Sequence, residues 1–224
     1  MPAVAARLAL LLALCVTVSL RAPVVQAAPE RATAPAVKAA HLPTWAEVDD
    51  LYAGFEDGSR ETSAYRETFI LKQNCRTYDD GPTAGKGRYA EYYGAFGSIP
   101  VHAGFEQPTV FTMSFATVRA AKRAFKAQQS WIVGCDGRTV SSTMETNSYA
   151  KVALAGLGDQ HAAYRHTMVA EQTGGDPWYL NELVFWVREG RYLLNVSARK
   201  DVEGEIPAKA PLYTLSEIAV DRLP

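Results

Sequence analysis

The chain lacks a charge excess of either sign. Its 224 residues include 23 Lys and Arg against 24 Asp and Glu, a formal net charge of −1. Proteins that bind nucleic acid do so largely through phosphates, which requires clustered positive charge. The balanced composition therefore gives no reason to expect a nucleic-acid partner.

Sequence motifs of common enzyme classes are also missing. The chain contains no HExxH, GxSxG, Walker A or GxGxxG pattern, and the stretch around Ser98 does not fit a nucleophile elbow. His161 and His166 lie in one expected strand, where a separation of five residues sends their side chains to opposite faces. They are not expected to share a metal ion, and we predict neither a metal nor a cofactor.

No apolar run at the N-terminus is long enough to span a bilayer. The run from Leu8 to Leu20 is shorter than the roughly 20 residues that a membrane helix needs. Small residues then precede Ala28 in the way that a signal peptidase recognises. We expect residues 1–27 to be a signal peptide removed near Ala27, which makes the mature protein secreted and without a membrane span. Lipid attachment at Cys15 is the alternative, but bulky Leu14 precedes that cysteine.

Cysteine is scarce, with three in the chain. Signal cleavage removes Cys15 and leaves Cys75 and Cys135 in an oxidising compartment. A structural zinc site needs about four Cys or His ligands at short spacing, and neither cysteine has such neighbours. A catalytic thiol would leave the second cysteine unexplained, whereas a disulfide uses both. The sequence predicts a Cys75–Cys135 disulfide.

Composition divides the mature chain into a leader and one folded domain. Residues 28–44 are rich in Ala and Pro without a period, which favours a flexible leader, and the domain is expected at 45–224. A helix is predicted after Thr117 as its N-cap, ending at Gly134, and shorter helices are predicted near each end of the domain. The central helix carries apolar residues at intervals of three and four.

Two polar features of this region have two interpretations each. Arg119, Lys122, Arg123 and Lys126 share the outer side of the central helix, as a solvated face or as a site for an anion or a phosphate-bearing wall polymer. The loop "GLGD" at 156–159 forms either a plain turn or an anion-binding loop. In both places the simpler structural interpretation is the favoured one.

The clearest local pattern is a β-hairpin over Asn181 to Lys200, with Glu189-Gly190 as the predicted turn. One face is fully apolar and is assigned to the core. The other carries Trp186, Arg188 and Arg191, and its tryptophan must be covered by another element or contact a ligand. We predict these three as ligand-binding residues, because an aromatic surface beside two guanidinium groups suits an anionic or sugar-like ligand.

The order of these features resembles a known family. The strand "VFTMSFA", the helix "TVRAAKRAFKAQQSWIVGC", the strand "GRTVSSTMET", the loop "LAGLGDQHAAYR" and the hairpin "ELVFWVREGRYLLNVS" follow one another between Phe69 and Arg199. This order is similar to that of the extracellular sensor domain of actinobacterial serine/threonine kinases and of its stand-alone secreted or lipoprotein relatives.

The resemblance implies an α+β fold: a twisted antiparallel sheet with helices packed on one face, and a cleft for an extracellular ligand. The chain departs from the family in having no kinase domain, no transmembrane helix, no convincing lipobox and one cysteine pair where kinase-linked members tend to have two. The family supplies no catalytic residues to carry over.

Three functions are compatible with this sequence. The first is a secreted, non-catalytic binding or sensor-like module for a small molecule or cell-wall fragment in a sheet-face cleft. The second is a secreted hydrolase with dispersed acid and base residues, which requires such a pair to converge in a pocket. The third is a protein-binding inhibitor, which requires an exposed apolar patch. We favour the first.

Overall fold

A computed structural model describes residues 33–52, 59–65, 68–70, 75, 79–81, 86–93, 106–172 and 174–224. The predicted signal peptide and its cleavage site lie outside the described residues. All described residues belong to one compact unit.

An antiparallel sheet of eight strands organises the described chain, in the order β1-β4-β5-β10-β9-β8-β7-β6. The hairpin strands β9 and β10 lie in the middle of this order, so each is paired with another strand along both of its edges. A separate ribbon pairs β2 with β3. The strands are β1 (Ser59–Tyr65), β2 (Thr68–Ile70), β3 (Asp79–Gly81), β4 (Lys86–Tyr93), β5 (Gln107–Ser114), β6 (Thr139–Ser141), β7 (Glu145–Val152), β8 (Gln160–Ala170), β9 (Trp178–Glu189) and β10 (Tyr192–Lys200).

Three α-helices pack on the sheet: α1 (Trp45–Asp49), α2 (Val118–Cys135) and α3 (Lys209–Asp221). Thr44 caps α1 and exchanges hydrogen bonds with Glu47 in a capping box. The Thr117 side chain accepts a hydrogen bond from the Ala120 N–H, which confirms Thr117 as the N-cap of α2.

The helices cover both faces of the sheet. Leu183, Phe185 and Val187 of β9 belong to a core cluster with α1 and α3, whereas Val184 and Trp186 belong to a cluster with α2. We call these two layers the α3 side and the α2 side. The α+β class and the antiparallel sheet are confirmed, but the helices lie on both faces instead of the one expected. The reason is that β9 is apolar on both faces, so each face needs a covering layer.

The predicted disulfide is confirmed. Cys75 and Cys135 are bonded, with Cα atoms 5.6 Å apart and a sequence separation of 60. Both are buried in the α2-side cluster. The bond therefore ties the last residue of α2 to a distant part of the chain.

The end of α2 and the hairpin turn both lie at least one residue later in the sequence than predicted. The helix α2 continues through Gly134 to Cys135. The glycine that follows the helix with a positive φ is Gly137, at 70°. In the hairpin, Glu189 pairs with Tyr192, so the turn residues are Gly190 and Arg191 instead of Glu189 and Gly190. Hairpin turns favour a positive φ at the first central position, and Gly190 has a φ of 51°.

This change of register moves each partner by two residues, which keeps every side chain on its predicted face. Arg188 consequently pairs with Leu193 and not with Arg191. The repulsion between two opposed arginines that the predicted register implied is absent from this pair.

The segment predicted to be a flexible leader packs on the fold over its described part, residues 33–44. Val37 and Leu42 are buried, and Leu42 belongs to the α3-side cluster. The Tyr92 hydroxyl donates a hydrogen bond of 2.7 Å to the Pro43 carbonyl. Composition alone suggested flexibility, but these few apolar side chains find an open part of the α3-side core, and their burial outweighs the low apolar content.

Candidate functional site

The structure separates the three residues predicted to bind a ligand. Trp186 is 2 % exposed, because α2 covers it, and its Nε1 is buried without a hydrogen-bond partner. The tryptophan therefore presents no open aromatic surface. Arg191, in contrast, is exposed in the hairpin turn.

Arg188 is buried and fully engaged. Its Nη1 lies 2.7 Å from Asp159 Oδ2 and donates to the Gly190 carbonyl, and its Nε donates to Gln160 Oε1 at 2.6 Å. The Gly190 N–H and then the Arg188 guanidinium hold the pKa of Asp159 below its ordinary value. These contacts bind the end of the hairpin to the start of β8.

The loop before β8 forms a tight structural turn. Gly158 has a φ of 56°, and a Cβ there would lie 2.6 Å from Val187 Cγ1, so only glycine fits without displacement. Leu157 is buried in the α3-side core. The Asp159 N–H donates to the Arg188 carbonyl and to Glu189 Oε2, so it is not free to hold an anion. These contacts support the turn interpretation of "GLGD".

A cavity of about 440 Å³ lies beside this loop, where β7 and β8 separate. Val152 and Ala163 form the last pair of these two strands, and the chain then leaves the sheet. The C-terminal half of α2 forms the opposite wall. The apolar lining residues are Ile132, Val133, Val152, Ala153, Leu154, Ala162 and Ala163. The polar lining residues are Gln129, Asp136, Lys151 and His161.

Three hydrogen bonds from two elements, the end of α2 and α3, hold the frame of the cavity. Asp136 Oδ1 accepts a 2.8 Å hydrogen bond from the Lys151 N–H, which joins the end of α2 to β7. From α3, Lys209 Nζ donates to the Ala153 carbonyl at 2.6 Å, and the Tyr213 hydroxyl donates to the Ala155 carbonyl at 3.1 Å. The mouth is thus built on helices and strands, which position binding groups better than free loops do.

The polar groups of the cavity can orient a ligand. His161 Nδ1 lies 2.8 Å from the Leu157 carbonyl, which accepts only, so the proton is on Nδ1 and Nε2 remains available. Gln129 supplies an amide and Lys151 a cation, both on exposed side chains. Within the described chain, no hydrogen bond or ion pair joins His161 to Asp136, the histidine and carboxylate that line the cavity. The arrangement offers polar contacts around an apolar floor, which is typical of binding sites for small molecules.

A second polar cluster lies buried on the α2 side. His166 Nε2 lies 2.7 Å from Asn147 Oδ1, and Tyr149 stacks on the imidazole with ring centroids 4.8 Å apart. Burial, followed by the negative charges of Glu145 and Glu182, raises the pKa of Tyr149 to about 12. His166 and Tyr149 are both buried, so this cluster stabilises the sheet and offers no opening for a ligand.

The described residues lack two further features. They contain no group of three or more His, Cys, Asp or Glu side chains that could hold a metal ion. None of their helices is long and apolar enough to cross a membrane.

The cavity was not predicted from the sequence, and no motif marks it. Gln129 and His161 are 32 positions apart in sequence, and each is an ordinary polar residue in its own element. The 58 % exposure of the lining residue Val133 is visible only in the structure.

No sequence family and no curated protein matches the chain. Solved structures similar to it include the following two. The extracellular domain of PknH from Mycobacterium tuberculosis has a TM-score of 0.56 at 13 % identity, over 82 % of this chain and 92 % of that domain. An uncharacterized protein from Mycobacterium smegmatis, the Rv0999 ortholog, has a TM-score of 0.39 at 13 % identity, over 80 % of this chain and 95 % of the other. The resemblance expected from the sequence is thus confirmed at the level of fold: the chain shares its fold with the PknH extracellular domain.

Proposed function

We propose that this protein is a secreted, non-catalytic ligand-binding module of the sensor-domain type, and that its ligand occupies the cavity between α2 and the diverging ends of β7 and β8. The observation that carries the proposal is this cavity of about 440 Å³, with an apolar floor and four polar side chains at its walls. Small-molecule sites commonly have about 300–1,000 Å³ and this mixture of surfaces. The proposed ligand is a small molecule or a fragment of a cell-wall polymer.

The chemistry of the lining favours binding over catalysis. A hydrolase needs an acid and a base within reach of the same bond. Here the His161 Nδ1 is engaged with the Leu157 carbonyl, and Asp136 Oδ1 with the Lys151 N–H. His161 and Asp136 share no hydrogen bond or ion pair in the described chain, so the lining presents no paired acid and base.

Secretion is part of the proposal. The Cys75–Cys135 disulfide supports it, because such bonds form and persist in oxidising compartments. The expected signal peptide over residues 1–27 agrees with this location. The shared fold with an extracellular domain is compatible with it.

The three hairpin residues enter the proposal in different ways. Arg191 is exposed and available to a ligand. Trp186 supports the α2 wall from below, since Ala162 of the cavity lies opposite it in the sheet. Arg188 holds the loop that precedes β8 through Asp159. Direct ligand contact by these residues stays a prediction.

The test is a ligand screen by thermal shift, with sugars, amino acids and soluble peptidoglycan fragments. Gln129→Ala and Val133→Ser change two exposed lining residues, and Ser130→Ala changes an exposed α2 residue outside the cavity. We expect a hit to lose about tenfold or more in affinity with either lining variant and to be unaffected by Ser130→Ala. A screen without hits, or a hit that all three variants bind equally, contradicts the site. Conversion of the bound compound, detected by mass spectrometry, contradicts the non-catalytic role.

A further inference from the structure

We propose that the outer face of α2 binds a linear, phosphate-bearing polymer. The binding groups are Arg119, Lys122, Arg123 and Lys126, which we call the basic face. This surface lies along the first half of α2 and is separate from the cavity at the other end of the helix, so the proposal is independent of the proposed function.

The basic face carries charge of one sign only. All four side chains are exposed, and α2 contains no Asp or Glu between Val118 and Cys135. None of the four forms a salt bridge with any residue in the described part of the chain. The local charge is therefore opposite in sign to the net charge of −3 expected for the chain without residues 1–27.

This placement of cations is unfavourable for the helix itself. The positive end of the helix macrodipole is at the N-terminus, where acidic side chains stabilise and basic ones destabilise, and the first turn of α2 contains no acidic residue. Arg119 and Arg123 are four residues apart, as are Lys122 and Lys126, and like charges at this spacing repel. Helix stability thus does not account for the basic face. A bound polyanion would offset the repulsion between these cations by attracting each of them. Residues that are unfavourable for local stability are expected at functional surfaces.

The shape of the array favours a chain of phosphates over a single ion. Arg119 to Lys126 spans seven residues, or about 10 Å along the helix at roughly 1.5 Å per residue. Guanidinium groups bind phosphate oxygens in pairs, and the lysines add charges that adapt to the position of the ligand. Four cations in this arrangement can contact successive phosphates of one polymer.

The neighbouring charges leave the face open. Arg191 lies beside the start of α2, because the Phe115 N–H donates to its carbonyl at 3.0 Å, and it adds a fifth exposed cation. Among the described residues, Asp159 and Glu189 place carboxylates at the hairpin turn. Asp159 is paired with Arg188, and Glu189 accepts a hydrogen bond from the Asp159 N–H. After the Gly190 N–H and the Arg188 guanidinium, the charge of Lys122 also lowers the pKa of Asp159.

A soluble polymer fits the face better than a lipid surface. Helices that bind membranes insert large apolar side chains between the lipids in addition to contacting headgroups. Val118 is 45 % exposed beside the basic face, and Val133, 58 % exposed, lies seven residues beyond Lys126. The face therefore offers charge with little apolar surface to insert.

The experiment measures binding of fluorescent long-chain polyphosphate over a series of NaCl concentrations. Arg119→Gln/Lys126→Gln removes two charges from the basic face, and Arg138→Gln/Arg199→Gln removes two exposed charges elsewhere. We expect the first variant to bind about tenfold or more weakly at low salt, with the slope of log K against log[NaCl] reduced by about two. The second variant should bind within about twofold of the unmodified protein.

Three outcomes would overturn the proposal. They are no binding of polyphosphate by the unmodified protein, an equal loss of affinity in the two variants, and binding only to vesicles of phosphatidylglycerol. The last result would assign the basic face to a lipid surface. Circular dichroism of both variants checks that the fold is retained.

Discussion

The two faces of the sheet are closed in different ways. The α3 side is covered by several elements from both ends of the chain: Leu42 and Val48 near one end, and Leu212, Leu215 and Ala219 of α3 near the other. The α2 side is covered chiefly by one helix, whose last residue is fixed by the disulfide. The α3 side is closed by contacts from several elements, and the α2 side by one helix that a disulfide anchors.

Contacts between the chain ends show how the α3 side is locked. Arg222 lies 2.7 Å from Glu47 and donates to the Ala40 carbonyl at 3.3 Å. Among the described residues, the α2 side has fewer covering elements, and α2 leaves the cavity near its C-terminal end and an exposed charged face near its N-terminal end. A side that is closed by a single helix thus provides more surface for ligands than a side that is closed by three segments.

Removing the disulfide should have the largest effect, and it should affect the α2 side more. Cys75→Ser/Cys135→Ser removes a cross-link between residues 60 positions apart, worth about 4 kcal/mol in the chain-entropy treatment. Urea unfolding measures the loss of free energy. Hydrogen exchange should show a greater loss of protection in α2 than in α3. Equal losses in both helices would contradict the difference between the two sides.

Leu42→Ala tests the α3 side and should have the next largest effect. Leu42 is fully buried, and truncating such a side chain costs about 3 kcal/mol. Ile206→Ala, at a side chain that is 42 % exposed, is the control and should change the free energy of unfolding by less than about 0.5 kcal/mol. If the Leu42→Ala protein is as stable as this control, the packing of residues 33–44 on the core is contradicted and the flexible leader suggested by composition is favoured.

Tyr149→Phe should have the smallest effect at neutral pH. The Tyr149 hydroxyl is buried without a hydrogen-bond partner, so removing it should change the free energy of unfolding by about 1 kcal/mol or less. Tyr213→Phe is the control, because it removes a hydroxyl that donates to the Ala155 carbonyl, and it should destabilise. If Tyr149→Phe loses more free energy of unfolding than Tyr213→Phe, the Tyr149 hydroxyl is not an unpaired buried group.

The same variant should alter the alkaline stability. Burial, with the charges of Glu145 and Glu182, raises the pKa of Tyr149 to about 12 in the folded protein, above its ordinary value of 10.0. The unfolded chain therefore releases this proton first, and stability present below pH 10 is lost as the pH rises towards 12. We expect the unmodified protein to lose more free energy of unfolding than Tyr149→Phe over this interval.

Local patterns predicted much of the fold. The capping threonine of α2, the hairpin faces and the Cys75–Cys135 bond each follow from neighbouring residues or from a count of two thiols. The hairpin turn was displaced because Glu189-Gly190 and Gly190-Arg191 both contain a suitable glycine, and pairing along the strands decided between them. The packing of Leu42 was missed because it depends on a gap in a distant core.

The candidate site was predicted less well than the fold. Trp186 and Arg188 share a strand face that looked amphipathic, and the sequence could not show that α2 and Asp159 would cover them. The cavity depends on where two strands separate, and strand separation leaves no motif. The basic face, by contrast, was visible from spacing alone, because all of its residues lie on one helix.

The contact between Ala40 and Arg222 bears on how the protein can be attached to a support. Leu42, α1 and α3 pack on the α3 side, so a linker attached to an exposed residue of these segments leaves from the layer opposite α2. Immobilisation through such a linker would keep the outer face of α2 directed toward the solution. A biosensor surface prepared in this way should leave the basic face accessible.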